Sequence, residues 1–283
     1  MDPRCVYYCL TEEERLQFET DGFFIVDDVL PPDRVEQLAR VSDRVDQEHR
    51  EARGLGPYDR ANVMDFIGKD EAFLELLDWY KTFPKVFGIL GWHIQLYHTH
   101  LVVTPRAEAG STLEKDGLGV GFHQDTGRLN LDLETHPRPR VSIKVAFFLS
   151  DTSQPGRGNF YVVPGSHLTD TFPGEDRKSI PVEAIPVLAP KGSAVFFDRR
   201  LWHSATRNYW VEPRRVLFYG YSYRWLRPRD EVSVDHYLDR CDPIRKQLLG
   251  CSTNAFSYTS PKDDDVPLKE WIRNNLGEAA VVT

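Results

Sequence analysis

From Trp92 to about residue 227 the chain consists of short runs rich in β-branched and aromatic residues, and this texture constrains its fold more than any other feature. The runs are "HIQLYHTHLVVTP", "GVGFHQD", "RVSIKVAFFLSD", "NFYVVPGSH", "SAVFF", "LWHSAT" and "RRVLFYGYSYRW", separated by Gly, Pro, Asn and Asp. Such side chains suit a pleated surface, and the separators are turn formers. No helical periodicity intervenes, which argues against βαβ crossovers and a parallel sheet. The expectation is an antiparallel sandwich or barrel of about eight strands, most simply a jelly roll.

Helices flank this core. Thr11 followed by Glu14, ahead of Leu16 and Phe18, is a capping-box signature for a helix start. "DGFFIVDDVLPPD" reads as a short strand closed by prolines, after which Val35, Leu38, Val41 and Val45 recur at helical spacing. "DEAFLELLDWYKTFPKVFGIL" reads as a helix that Pro84 interrupts, and "DHYLDRCDPIRKQLLG" and "PLKEWIRNN" return to helix in the tail. With no repeat or linker, the reading is one domain over 1–283: a mostly helical part to about residue 90, a β core over about 91–227, and a helical tail over about 228–283.

The formal net charge is −8 and no dense basic run occurs, so nucleic acid and anionic membrane surfaces are poor partners, and a small-molecule substrate is expected. The opening residues lack a positive segment followed by an apolar run, and no stretch approaches the roughly 20 apolar residues of a membrane span. A cytoplasmic location without membrane contact is the corresponding expectation. Cys5, Cys9, Cys241 and Cys251 lack the paired spacing of a zinc site and read as free thiols.

The chemistry concentrates in "VGFHQDTGRLN". On an extended segment His123 and Asp125 face the same way and can share a metal ion such as Fe(II), Mn(II) or Zn(II). A third ligand is available at His203 in "FFDRRLWHSATRN". Two histidines and one carboxylate on one face of an octahedron leave three positions for exchangeable ligands, as non-haem iron oxygenation requires. Arg214 follows 11 residues after His203. A strand starting there and running antiparallel to that of His203 would direct Arg214 at the metal, and its planar fork suits a carboxylate. A keto acid chelating iron at one end and held by Arg214 at the other fits 2-oxoglutarate.

This ordered set resembles the Fe(II)/2-oxoglutarate dioxygenases, and specifically the phytanoyl-CoA dioxygenase family. "LTEEERLQFETDGFFIVDDVL" is similar to the family's opening helix and strand; "HQD", "PRPRVSIKVAFFLSD", "VVPGSH", "GSAVFFDRRLWHSATRN" and "PRRVLFYGYSYRW" follow in the family's order. The resemblance covers most of the chain. It implies a double-stranded β-helix, a jelly roll of the cupin-like barrel type, mainly β with flanking helices. It implies iron at His123, Asp125 and His203 and the far carboxylate of 2-oxoglutarate at Arg214. Gln95 and Thr99, in "IQLYHTH", resemble positions that contact 2-oxoglutarate in relatives of the ectoine-hydroxylase type. Several relatives carry Ser two residues after the distal histidine, where this chain has Ala205, which leaves Ser204, Thr206 or no hydroxyl for that hydrogen bond.

The implied reaction takes Fe(II), 2-oxoglutarate and O2, releases succinate and carbon dioxide, and hydroxylates an unactivated C–H bond of a small molecule. Desaturation, epoxidation and cyclisation on the same centre are alternatives. A halogenase would replace the ligand carboxylate by Gly or Ala, and Asp125 argues against it. A non-catalytic metal-binding jelly roll is the reading from another class, and Arg214 argues against that. The remaining candidates read as structural: His98 and His100 as packing or pocket lining, His167 as fixing a turn, and Arg215 as pointing away from the site. Lys144, Arg199 and Arg200 read as substrate contacts or solvated surface charges.

Overall fold

The computed structural model describes residues 1–281. Among the described residues nine strands form two antiparallel sheets. They are β1 (Phe23–Val26), β2 (Ala61–Met64), β3 (Ile94–Thr104), β4 (Ser142–Phe148), β5 (Phe160–Val162), β6 (Ile185–Val187), β7 (Ala194–Asp198), β8 (His203–Ala205) and β9 (Arg214–Tyr223). The large sheet has the order β1-β7-β4-β9-β3-β2 and the small one β6-β5-β8.

Period-2 alternation splits the large sheet into two faces. On one, Phe24, Ile143, Val145, Phe147, Phe196, Leu217, Tyr219 and Tyr221 join the helices in the main core. On the other, Phe23, Ala146, Phe148, Val195, Phe197 and Val216 meet Phe160, Val162 and Val187 of the small sheet. Central strands covered on both faces are buried throughout, which is why β4 and β7 carry no exposed residue.

The helical readings hold in part. Thr11 and Glu14 form a complete capping box on the helix Glu12–Asp21, whose end is turned by Gly22 at φ 82°. Val35, Leu38 and Val45 are the buried stripe of Pro32–Arg53. Pro84 does not interrupt a helix. It lies at the start of Phe83–Leu90, where a missing N–H costs no hydrogen bond, while the upstream segment forms only Glu71–Leu74 followed by turns. The N-terminal part also contributes two strands to the large sheet, β1 beside β7 and β2 beside β3. Strand β2 is four residues long and carries no apolar run that would mark it in the sequence. "GVGFHQD" is not a strand; it is a loop joined to β8 by a single bridge at His123 and His203.

Strands β8 and β9 are not neighbours, as the reading of Arg214 had assumed: they belong to opposite sheets. The connection over 206–213 is too long for a tight hairpin. Asn208 ties it across to β3 by donating Nδ2 to the carbonyls of Thr104 and Glu212, at 3.2 and 2.7 Å. Arg214 therefore reaches the space between the sheets from the far wall.

Candidate metal centre and adjoining cavity

The backbones of His123 and His203 are locked to one another, each N–H donating to the other's carbonyl at 3.0 Å. Their rings lie with centroids 4.4 Å apart. Each Nδ1–H donates to the carbonyl two residues earlier, His123 to Gly121 at 3.1 Å and His203 to Leu201 at 2.7 Å. This anchoring fixes the tautomer and leaves both Nε2 lone pairs as ligands. Phe160 and Phe197 pack on the His203 ring at 5.2 and 5.3 Å between centroids.

Asp125 completes a group of three ligand atoms all within 4.8 Å of one another. Its N–H donates to the Arg199 carbonyl at 2.9 Å and its own carbonyl accepts from Asn130 Nδ2 at 2.9 Å. Buried Arg199 bonds Thr126 and Asn130 in turn, so the loop that presents the carboxylate is held from below. Asp125 Oδ1 lies 3.9 Å from His203 Nε2. Oδ2 is in ion-pair contact with Lys144 Nζ at 2.7 Å.

Burial alone would raise the Asp125 carboxyl, but the Lys144 ammonium and the neighbouring imidazoles outweigh it and hold the group well below the usual carboxylate range. Burial pushes His203 down to about 3, with His123 adding to the shift, so its imidazole is neutral at ordinary pH. An ionised carboxylate beside imidazoles with free Nε2 atoms is the donor set for a divalent transition metal.

The three ligands open into a cavity of about 380 Å³ that Lys144, Phe218 and Arg214 also line. Arg214 is 2% exposed. Its Nη1 donates to the Gly158 carbonyl at 2.8 Å, whereas Nε and Nη2 have no acceptor in the structure. Burial brings the guanidinium down to about 9, with nearby Arg60 adding to the effect. A buried cation with two unpaired donors beside a metal-ligand set fits the far carboxylate of a chelating dicarboxylate. Arg215 points the other way and pairs with Asp43.

Gln95 and Thr99 are not brought to the site. A β-bulge between Leu96 and His98 inserts Tyr97 and reverses the alternation, so the two residues fall on opposite faces of β3. Thr99 lies on the helix side, opposite Tyr219, and its hydroxyl accepts from the Phe66 N–H at 2.9 Å. Gln95 lies beyond the cavity's end and donates Nε2 to the carbonyls of Leu226 and Arg224, at 2.8 and 3.3 Å.

In their place the bulge turns His100 and Val102 toward the cavity, joined by Arg60 and Arg229. Sequence reasoning missed Val102, Arg60 and Arg229; His100 was read as packing or pocket lining, and it lines the cavity. His98 packs its ring over Gly220, where an added Cβ would come within 2.6 Å of it. Lys144, Arg199 and Arg200 are not solvated charges: all three are buried, and Arg200 clasps Asp198 at 2.7 and 2.9 Å. His167 packs against Gly22 and donates Nε2–H to the Glu19 carbonyl at 3.1 Å. The four cysteines are unpaired. Among the described residues no helix is long and apolar enough to cross a membrane.

Comparison with known proteins agrees with this geometry. The phytanoyl-CoA dioxygenase (PhyH) family model matches residues 18–216. An ectoine dioxygenase of Nocardia farcinica is 26% identical over 238 residues, 73% of this chain and 76% of the relative. HygX of Streptomyces hygroscopicus, solved with nickel and 2-oxoglutarate bound, superposes with a TM-score of 0.62 at 20% identity, covering 80% of this chain and 92% of HygX. The epimerase SnoN, solved with Fe3+, alpha ketoglutarate and nogalamycin RO, superposes with a TM-score of 0.58 at 19% identity over 80% and 88% of the two chains. These likenesses identify the fold as the cupin-like jelly roll.

Proposed function

Because the chain belongs to the phytanoyl-CoA dioxygenase family and is an Fe(II)- and 2-oxoglutarate-dependent dioxygenase, we propose that it hydroxylates a small metabolite, with His123, Asp125 and His203 holding the iron and Arg214 the far carboxylate of 2-oxoglutarate. When bound, the ferrous ion supplies open coordination positions for 2-oxoglutarate and O2 and couples release of succinate and carbon dioxide to oxygen insertion. The chain supplies position and shelter. His123 and His203 offer Nε2 from a rigid backbone pair, and Asp125 offers Oδ1 while Lys144 occupies Oδ2. Phe160, Phe197 and Phe218 line the same space and keep water from the reacting atoms.

The observation that carries this reading is convergence: two imidazoles, an ionised carboxylate and a half-satisfied buried guanidinium all face one cavity of about 380 Å³. The size supports a small substrate, since a space at the low end of ligand pockets must also admit 2-oxoglutarate. Its charge supports an anionic group on that substrate: the lining cations are Arg60, Lys144, Arg214 and Arg229 and the one acid is Asp125, in a chain of net charge −8. A cytoplasmic site of action suits a consumer of 2-oxoglutarate.

The test is succinate formation with iron, ascorbate and 2-oxoglutarate over a panel of small carboxylates, neutral metabolites, a long-chain acyl-CoA and its free acid. Turnover confined to small acids is the expected result. Efficient turnover of the thioester with the others inert overturns the substrate reading, and absence of succinate with every compound overturns the hydroxylase reading.

A further inference from the structure

Arg199 is a buried cation, 1% exposed, in the turn that joins β7 to β8. The neighbouring carboxylate, Asp198, is taken by Arg140 and Arg200. Among the described residues no hydrogen bond of the Arg199 side chain reaches a carboxylate. Nη1 donates to Thr126 Oγ1 at 2.9 Å and to Asn130 Oδ1, Nη2 donates to the Pro139 carbonyl at 3.0 Å, and Nε has no acceptor. Burying a guanidinium on neutral groups alone is costly, and a position filled for packing would carry an apolar side chain.

Those contacts converge on one residue. Thr126 Oγ1 and Asn130 Nδ2, on the two side chains that Nη1 holds, both donate to the Asp125 carbonyl, at 2.6 and 2.9 Å. The Asp125 N–H donates to the carbonyl of Arg199 itself at 2.9 Å. Arg199 therefore fixes the Asp125 backbone on both sides while making no hydrogen bond to its carboxylate.

The residue after Asp125 is strained. Thr126 sits at φ 58° and ψ 51°, in the left-handed region that a β-branched residue rarely enters. Such a conformation persists only where the surroundings over-determine it. The Thr126 hydroxyl, held between Arg199 and the Asp125 carbonyl, supplies that constraint. The histidines need no such help, since His123 and His203 lock one another through their backbones. We propose that Arg199 is the positioning residue of the carboxylate ligand: it holds Thr126 left-handed and so presents Asp125 to the metal that the two histidines share. The proposal rests on Asp125 being a metal ligand.

The experiment is titration of Co(II) alone into the metal-free full chain, followed by visible absorption, which reads affinity and ligand set together without turnover. Arg199→Met keeps the bulk and removes the donors. It weakens Co(II) on the order of 10–100-fold, the usual loss when a group that orients a ligand is removed, and shifts the spectrum to that of Asp125→Ala. Thr126→Val leaves Arg199 in place but gives it no hydroxyl to hold; it shifts the spectrum the same way, which decides the matter if Arg199→Met does not fold. Adding Thr126→Gly to Arg199→Met recovers most of the affinity and the parent spectrum, because glycine keeps the left-handed turn unaided. A merely structural role for Arg199 would give no such recovery. Parent-like binding in Arg199→Met or in Thr126→Val, or no recovery with Thr126→Gly, overturns the proposal. Asp125→Ala separates the two levels: if it binds Co(II) as the parent does, the ligand reading itself is wrong; if it alone loses affinity, only the role of Arg199 falls.

Discussion

Strand β9 shows two kinds of surface on one ten-residue stretch. Toward the helices, Tyr219 and Tyr221 are buried and donate their hydroxyls to the carbonyls of Phe73 and Leu77, at 2.7 and 2.6 Å. Toward the cavity, Arg214 keeps two donors unpaired, Gly220 carries no side chain and Phe218 is only partly covered. The first face commits the hydroxyls of Tyr219 and Tyr221 to the fold. The second leaves two donors of Arg214 unpaired, at a cost in stability. Since alternate residues of one strand make both faces, stability and function should separate cleanly by parity along it.

The severest test falls on the cavity side. Asp125→Ala should abolish succinate formation and metal retention while circular dichroism and the cooperative melt persist; full activity with native iron content would remove Asp125 from the ligand set. Arg214→Met comes next. It should raise the KM for 2-oxoglutarate by about 2–5 kcal/mol of lost binding, thirtyfold or more, yet leave unfolding stability in urea unchanged or higher by about 1 kcal/mol. Arg215→Ala, on the opposite face, should change neither by a comparable amount, and a reversed result would place the strand register off by one. On the helix side, Tyr221→Phe should lower stability by about 1–3 kcal/mol, because a buried carbonyl loses its donor, with KM unaltered.

The smallest effect concerns pH. Burial, reinforced by Lys144, holds His98 well below an ordinary histidine, so the folded chain does not take up the proton that the unfolded chain accepts near pH 6.5. The sign follows: stability falls as pH drops below about 6.5. Melting temperatures between pH 7 and 5 should decline less steeply in His98→Gln than in the parent, and equal slopes would remove His98 as a contributor.

What could be read in advance also divides by physics. The convergence of His123, Asp125 and His203 on one spot was legible because ligating residue types in that order are rare by chance, and the inward side of β9 because alternation has a fixed period. Gln95 and Thr99 were misassigned because one inserted residue, Tyr97, reverses the phase of β3, and a bulge leaves no mark in hydrophobic periodicity. Arg60 was missed because it enters beside β2, a strand without an apolar run. Pro84 was misread because a proline that opens a helix and one that ends a helix look alike without knowledge of the preceding turn. The placing of β8 and β9 in one sheet failed for a related reason: a long loop between two strands does not say which sheet each joins.

The contact between Lys144 and Asp125 bears on the order in which the enzyme is assembled. A carboxylate buried among neutral rings would ordinarily resist folding until a cation arrived to meet it. Here the chain carries its own resident cation, 19 residues downstream in the sequence, so the jelly roll can close around a site whose charge is already answered. On the proposed ligand set, iron loading would then be a maturation step performed on a finished protein.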